Sequence, residues 1–246
     1  MSKTAIIVGA SSGIGAALAE ELARRDYRLG LMARREDKLQ EVAEGISRRH
    51  GVIVLTQTVD VRDAASVQPA IRALAEQLGD VDLLIANAGI TGARRSGNGL
   101  LEVDRQIIET NLMGAIATVD AAVGLFKTRG KGHIVGISSI SAYIGIPGSA
   151  AYSASKAALT NYLSALRTEV GHKGIRITTI HPGFVVTELA PNMEKYPFAA
   201  RPEAVAQEIC RAIARGAKEA IVPRWPWTVL MPAMRFLPDA VMRRIF

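Results

Sequence analysis

Thr4-Ala-Ile-Ile-Val-Gly-Ala-Ser-Ser-Gly-Ile-Gly15 reads as a strand, a glycine turn and the start of a helix. Residues 4–8 form an apolar run too short for a helix and right for a buried strand. Gly9 permits a tight turn, Gly13 lets backbone approach a pyrophosphate, and Gly15 allows close helix packing. The helix that follows carries Ile14, Leu18, Leu22 and Ala23 on one face. Phosphates would sit at its N-terminus, against free N–H groups and the positive dipole end. Ser11, Ser12 and Ile14 belong to the same loop and count as nucleotide-binding candidates with the glycines. The spacing is G-x-x-x-G-x-G, not the commoner G-x-G-x-x-G, so taken alone the motif is also compatible with a turn that binds nothing.

Outward from this unit, strand-like runs near 4–9, 28–34, 52–60, 81–87, 132–138, 175–181 and 219–223 alternate with helical patterns. The helices read near 13–25, 36–49, 63–78, 101–129, 152–172 and 202–216. Such alternation predicts an α/β fold, a doubly wound parallel sheet with helices on both faces. Ligands of these sheets bind at the carboxyl ends of the strands. Each motif below falls at a strand end or just past one. A length of 246 residues with 49% hydrophobic content fits one large domain.

The second strand, Leu29-Gly-Leu-Met-Ala33, runs into Arg34-Arg35, where the adenosine ribose should lie. A dinucleotide site for NAD usually has Asp or Glu there for the 2′-hydroxyl. An arginine instead holds a 2′-phosphate through paired, charge-assisted hydrogen bonds. The expectation is NADP(H) in preference to NAD(H), with Arg34 as the main contact and Arg35 in support. Glu36 and Asp37 fit the first turn of the next helix, where anions suit the dipole.

Tyr152 and Lys156 stand four residues apart, with Ser139 thirteen residues before the tyrosine. Positions i and i+4 share a helix face. A phenol, an ammonium and a hydroxyl can act together on one carbonyl or alcohol oxygen. A lysine cation about 4 Å from the phenol contributes roughly 4 kcal/mol at an effective dielectric near 20. That is enough to draw a group that titrates at about pH 10 toward neutrality. Ser138 neighbours Ser139, but alternate strand residues face opposite ways, so only one of the two should face the site.

Together these residues resemble the short-chain dehydrogenase/reductase family in its compact single-domain form, over about residues 3–223. Gly9-x-x-x-Gly13-x-Gly15 matches the family's cofactor loop, and Asp60-Val61 matches the pair that contacts adenine. Asn87-Ala88-Gly89 matches the motif that ends the fourth strand. Asn111, Ser139, Tyr152 and Lys156 match the catalytic asparagine, serine, tyrosine and lysine. Pro182, Gly183, Val185 and Thr187 fall in the segment that receives the nicotinamide end, and Tyr152 and Lys156 also border the cofactor. Val8 departs from the family, which often has threonine there to tie the loop to neighbouring backbone. The resemblance implies a seven-stranded Rossmann sheet in the order 3-2-1-4-5-6-7. It also implies a homodimer or homotetramer, associated through the helices near 101–129 and 152–172.

Residues 1–223 thus read as the NADP(H)-binding catalytic domain, and 224–246 as an extension. Apolar residues and arginines alternate in that extension, from Arg224-Trp-Pro-Trp227 to Val241-Met-Arg-Arg-Ile-Phe246. It is too interrupted to span a bilayer. It reads as a lid over the substrate pocket or a subunit contact, with a peripheral contact on a membrane surface as the competing reading. A polar loop, 93–99, would border the substrate mouth.

Net charge is +7, yet no nucleic-acid motif accompanies it and aromatics make up only 5%, which argues against nucleic acid as a partner. The four histidines lack metal-ligand spacing, so no metal is expected. The single cysteine, Cys210, allows no internal disulfide. The first strand begins at once, leaving no room for a signal segment, and the expected location is the cytoplasm.

The expected activity is hydride transfer between NADP(H) and an apolar ketone, aldehyde or secondary alcohol. Ile140, Tyr143, Ile144, Ile146, Phe184 and Val185 are the candidate apolar mouth, unless they simply fill the core. The alternatives are a non-catalytic NADP-binding regulator or scaffold, and an epimerase or dehydratase on the same fold.

Overall fold

The computed structural model describes residues 2–92, 97, 99–189, 193–234, 236, 238 and 241. Seven parallel strands, β1 (Thr4–Val8), β2 (Arg28–Ala33), β3 (Val54–Thr58), β4 (Leu83–Ala86), β5 (Gly132–Ile137), β6 (Ile175–Pro182) and β7 (Glu219–Val222), form one sheet in the order 3-2-1-4-5-6-7. Every neighbouring pair is parallel. The crossovers are α1 (Gly13–Ala23), α2 (Glu36–His50), α3 (Ala64–Leu78), α4 (Leu101–Ile108) continued by α5 (Gly114–Arg129), α6 (Ala150–Val170) and α7 (Pro202–Ala214).

The sequence dictates two cores. Along β1, Ala5 and Ile7 point to one face while Ile6 and Val8 point to the other. The first face packs against Leu18 and Leu22 of α1, Leu39 and Ile46 of α2, and Val205 and Ile209 of α7. The second packs against Ile71 and Leu74 of α3, Val119 and Phe126 of α5, and Leu159 and Leu163 of α6. A central strand covered on both sides must be apolar at every position. Each buried Leu, Ile or Phe contributes about 1.5–3 kcal/mol.

The stretch expected as one helix over 101–129 is interrupted by a π-helical segment at Glu109–Met113. Taken whole, it is long and apolar enough to cross a membrane, but 50% of its most apolar window is buried within the fold. The helix expected from 152 begins at Ala150 and ends at Val170. An eighth helix, α8 (Trp227–Met234), lies in the C-terminal stretch. Most of the polar loop over 93–99 and of the last residues, 242–246, falls outside the described residues.

Candidate active site

The glycine turn lies where β1 and β4 end. Gly9 has φ +92°, and a Cβ there would come within 2.5 Å of Ala88 N. A Cβ on Gly15 would overlap the Gly9 carbonyl oxygen. Asn87 Nδ2 donates to that same carbonyl at 2.7 Å, tying the turn to the end of β4. Only glycine fits at either position, so the backbone itself forms the floor of an open cradle at the start of α1.

A cleft of ≈ 370 Å³ lies over this cradle. Gly9, Ser11, Ser12, Gly13 and Ile14 line it from the turn, Arg34 and Arg35 from the end of β2, and Asp60 and Val61 from beyond β3. Asn87, Ala88 and Gly89 follow β4, and Thr187 follows β6. Thirteen residues singled out from the sequence thus meet around one cavity. Gly15 packs beneath the turn. Pro182 ends β6, and Gly183 packs against the Trp227 indole, away from the cleft lining. Val185 was expected at the cofactor and the mouth, but its side chain is buried in the core layer shared with α1 and α7. It bridges to Ala200, and this pairing turns the side chain inward.

The two arginines have different partners. Arg35 Nη2 donates to the hydroxyls of Ser11 at 3.1 Å and Ser12 at 2.7 Å, directly over the glycine turn. Arg34 is more exposed and lies 4.0 Å from Asp60, which is itself held by Arg62 at 2.6 Å. That Arg62 hydrogen bond, stronger than the effect of burial, holds the Asp60 carboxyl below the usual carboxylate range. Glu188 also lines the cleft, and nothing in the sequence pattern marked it.

The candidate acid–base group sits at the neighbouring strand ends. Lys156 Nζ lies 5.8 Å from the centre of the Tyr152 ring and donates to the Ile137 carbonyl at 2.9 Å. Ser139, second after β5 on an extended backbone, shares a hydrogen bond with Tyr152. Ser138 faces the other way, into α6, donating to the Lys156 carbonyl at 3.0 Å and pairing with Thr160 at 2.7 Å. The strand alternation therefore separates the two serines as expected.

Asn111 lies in the π-helical segment and is 0% exposed. Its Oδ1 accepts from Ile90 N at 2.7 Å, and its Nδ2 donates to Ile90 O at 2.9 Å and Ser155 Oγ at 3.2 Å. A π turn inserts one extra residue into a helix and redirects the side chains around it, and here it turns Asn111 toward the end of β4. Gly89 joins this group to the cleft: a Cβ on it would lie 3.3 Å from Asn111 Oδ1 and 3.5 Å from Lys156 Nζ.

Burial dominates the protonation states. The Tyr152 phenol is pushed up by burial, with the Ser139 hydrogen bond opposing. The expectation of a phenol lowered by its lysine is thus reversed in the protein alone. The reason is that the Lys156 ammonium is itself pulled down to about 8 by burial and is turned to the Ile137 carbonyl.

Beside Ser139, Trp227 and Met231 of α8 are buried against Ile140, with Tyr143, Ile144 and Phe184 packed around them. Trp227 meets Phe184 edge-on at 4.9 Å. On the same stretch, Trp225 and Val229 are exposed. The C-terminal segment therefore covers the residues that follow Ser139 and Gly183.

A glycine cradle next to a tyrosine, a buried lysine and a buried serine fits a nucleotide-dependent oxidoreductase. The chain belongs to the short chain dehydrogenase family, whose model matches residues 3–196. It is 36% identical over 241 residues to an uncharacterized oxidoreductase of Mycobacterium tuberculosis, covering 97% of this chain and 95% of that one. It is 34% identical to the NADP-dependent 3-hydroxy acid dehydrogenase of Schizosaccharomyces pombe, covering 87% of each. Among solved structures it is similar to an alcohol dehydrogenase from Thermococcus sibiricus complexed with 5-hydroxy-NADP. The TM-score is 0.82 at 30% identity, over 90% of this chain and 96% of that chain.

Proposed function

We propose that this protein is an NADP(H)-dependent carbonyl reductase acting on apolar ketones or aldehydes, with the corresponding alcohol oxidation as the reverse reaction. The observation that carries this reading is the approach of Lys156 to Tyr152 beside Ser139, next to Gly89 of the cleft that Arg34 and Arg35 also line. Relatives described as NADP-dependent or solved with an NADP analogue support the cofactor.

The cradle fits a dinucleotide: glycines at 9, 13 and 15 keep the floor of the turn free of Cβ atoms at the start of α1. Gly9, Ser11, Ser12, Gly13 and Ile14 would hold the pyrophosphate, Arg34 and Arg35 the 2′-phosphate, Asp60 and Val61 the adenine, and Thr187 the nicotinamide end. NADPH supplies the hydride when bound. Tyr152, kept protonated at neutral pH by burial, gives a proton to the carbonyl oxygen. Ser139 donates a hydrogen bond to the same oxygen and stabilises the charge that develops there. Lys156 holds the nicotinamide ribose and stabilises the phenolate left on Tyr152. Asn111 has committed both amide hydrogens and one lone pair; the remaining lone pair of Oδ1 faces Gly89 and Lys156 and can hold a water for reprotonation.

Residues 1–223 form the catalytic domain in this reading, and the segment from 224 is a lid whose Trp227 and Met231 supply an apolar wall with Ile140 and Phe184. That wall favours an apolar substrate over a sugar. The packing of Trp227 and Met231 favours a lid over a membrane contact. Subunit association through α4–α5 and α6 is supported by the exposed Leu101 and Met113, and a cytoplasmic location by the buried free thiol of Cys210. The test is NADPH consumption with a panel of apolar ketones, followed at the reduced nicotinamide band. Turnover is expected in the wild type and a loss of about 10²–10⁴-fold in Tyr152→Phe. Undiminished turnover in Tyr152→Phe refutes the assignment.

A further inference from the structure

Glu188 bridges the two walls of the cleft. It follows Thr187 on the segment between β6 and α7, and its carboxylate accepts from Arg35 Nη1 at 3.0 Å and from Lys38 Nζ at 2.9 Å. Arg35 and Lys38 stand on the opposite wall, just before and within the first turn of α2. Arg35 divides its guanidinium: Nη2 goes to the Ser11 and Ser12 hydroxyls of the glycine turn, and Nη1 to a carboxylate 153 positions further along the chain.

All three side chains are exposed, and exposed ion pairs add about 0–1 kcal/mol each to a fold. Stability therefore gives little reason for the arrangement. Its larger consequence is for ligands. Arg35, over the glycine turn, and Lys38 already face an anion, and the donors that Glu188 takes are those a phosphate dianion would use. Glu188 is also in the cleft lining itself. An incoming 2′-phosphate meets both competition for Arg35 and Lys38 and repulsion from the carboxylate. A nucleotide with a plain 2′-hydroxyl meets neither.

We propose that Glu188 is a specificity-determining counter-ion, which competes with the 2′-phosphate of the cofactor for Arg35 and Lys38 and so limits how strongly the cleft favours NADP(H) over NAD(H). The proposal rests on the NADP(H) reading above. In this role the residue moderates affinity for the phosphorylated nucleotide and eases its release. It also fastens the segment after β6 to α2 across the cleft.

The test is calorimetric binding of 2′,5′-ADP and 5′-AMP to the full chain and to Glu188→Gln. These two ligands differ by the 2′-phosphate, and the measurement needs no turnover. Glu188→Gln is expected to bind 2′,5′-ADP about three- to tenfold more tightly, with 5′-AMP unchanged within about twofold. The gain should disappear when Arg35→Ala and Lys38→Ala are also present, because the cycle then has nothing to report. An unchanged or weaker 2′,5′-ADP affinity in Glu188→Gln, or an equal gain for both ligands, overturns the proposal. A wild-type protein that prefers 5′-AMP overturns the NADP(H) reading instead, so the two failures are distinct.

Discussion

The ammonium of Lys156 donates to the main-chain carbonyl of Ile137 at 2.9 Å, while the Lys156 carbonyl accepts from Ser138 Oγ at 3.0 Å. Helix α6 and the end of β5 are thus stitched in both directions. This positions Tyr152, one turn before Lys156, beside Ser139, two residues after Ile137. The proton-transfer geometry is a consequence of how one helix is pinned to one strand.

A pH dependence follows from the same contact. Burial pulls Lys156 down to about 8 and pushes Tyr152 up. Below about pH 8 the ammonium is charged and the phenol holds its proton, which is the form the proposed carbonyl reduction needs. Above it Lys156 loses its charge, and the support for phenolate with it. Carbonyl reduction should therefore be flat from pH 6 to about 8 and fall beyond. In Lys156→Arg, which stays charged, whatever rate remains should lose that fall. Initial rates across pH check this, and a wild-type reduction rate that climbs above pH 8 contradicts it.

Asn111 closes two hydrogen bonds with the backbone of a single residue, Ile90, and a third with Ser155. Asn111→Ala leaves the Ile90 N–H and C=O without these partners. An unsatisfied buried polar group costs about 1–3 kcal/mol, so this variant should lose about 2–4 kcal/mol of stability by urea unfolding. A loss under about 0.5 kcal/mol would show that water replaces the amide readily.

Two glycines give opposite signs for the same substitution. Gly9→Ala combines a positive φ with a Cβ 2.5 Å from Ala88 N and should cost about 2–4 kcal/mol. Gly124, inside α5, has nothing within 4 Å of its would-be Cβ. Gly124→Ala should stabilise the protein by about 0.5–1 kcal/mol through reduced freedom of the unfolded chain. Melting curves of both variants against the wild type decide the matter.

The fold was legible because parallel strands buried on both faces must be short apolar runs, and β1, β4 and β5 stand out as such. The nucleotide cradle was legible because glycine is required where a Cβ would strike backbone, as at Gly9 and Gly15. Other features lie outside local pattern. Glu188 joins the cleft through a partner 153 positions away, and no period or motif encodes that meeting. The π-helical segment at Asn111 accompanies contacts with Ile90 and Ser155 that no local pattern announces. The protonation of Tyr152 followed burial, which a residue spacing does not reveal; the i to i+4 relation correctly brought lysine to tyrosine but carried no information on desolvation. The burial of the Val185 side chain was not legible, because an apolar residue beside a glycine turn reads equally well as mouth or core.

A buried histidine at the opposite end of the sheet makes stability depend on acid. His133, near the start of β5, pairs with Thr178 Oγ1 at 2.9 Å and is buried. Burial, with Arg176 adding to it, lowers its pKa to about 4 from an ordinary value of 6.5. The folded protein therefore binds this proton less readily than the unfolded chain. The contribution is full above pH 6.5 and is lost as pH falls through 4, up to about 3 kcal/mol in all. His181, also lowered by burial, acts in the same direction. Urea midpoints at pH 7 and pH 5 should differ in the wild type and differ by less in His133→Gln, whose side chain keeps a polar partner for Thr178 but binds no proton. Equal pH sensitivity in the two proteins would place the acid dependence between pH 7 and pH 5 elsewhere, as on His181.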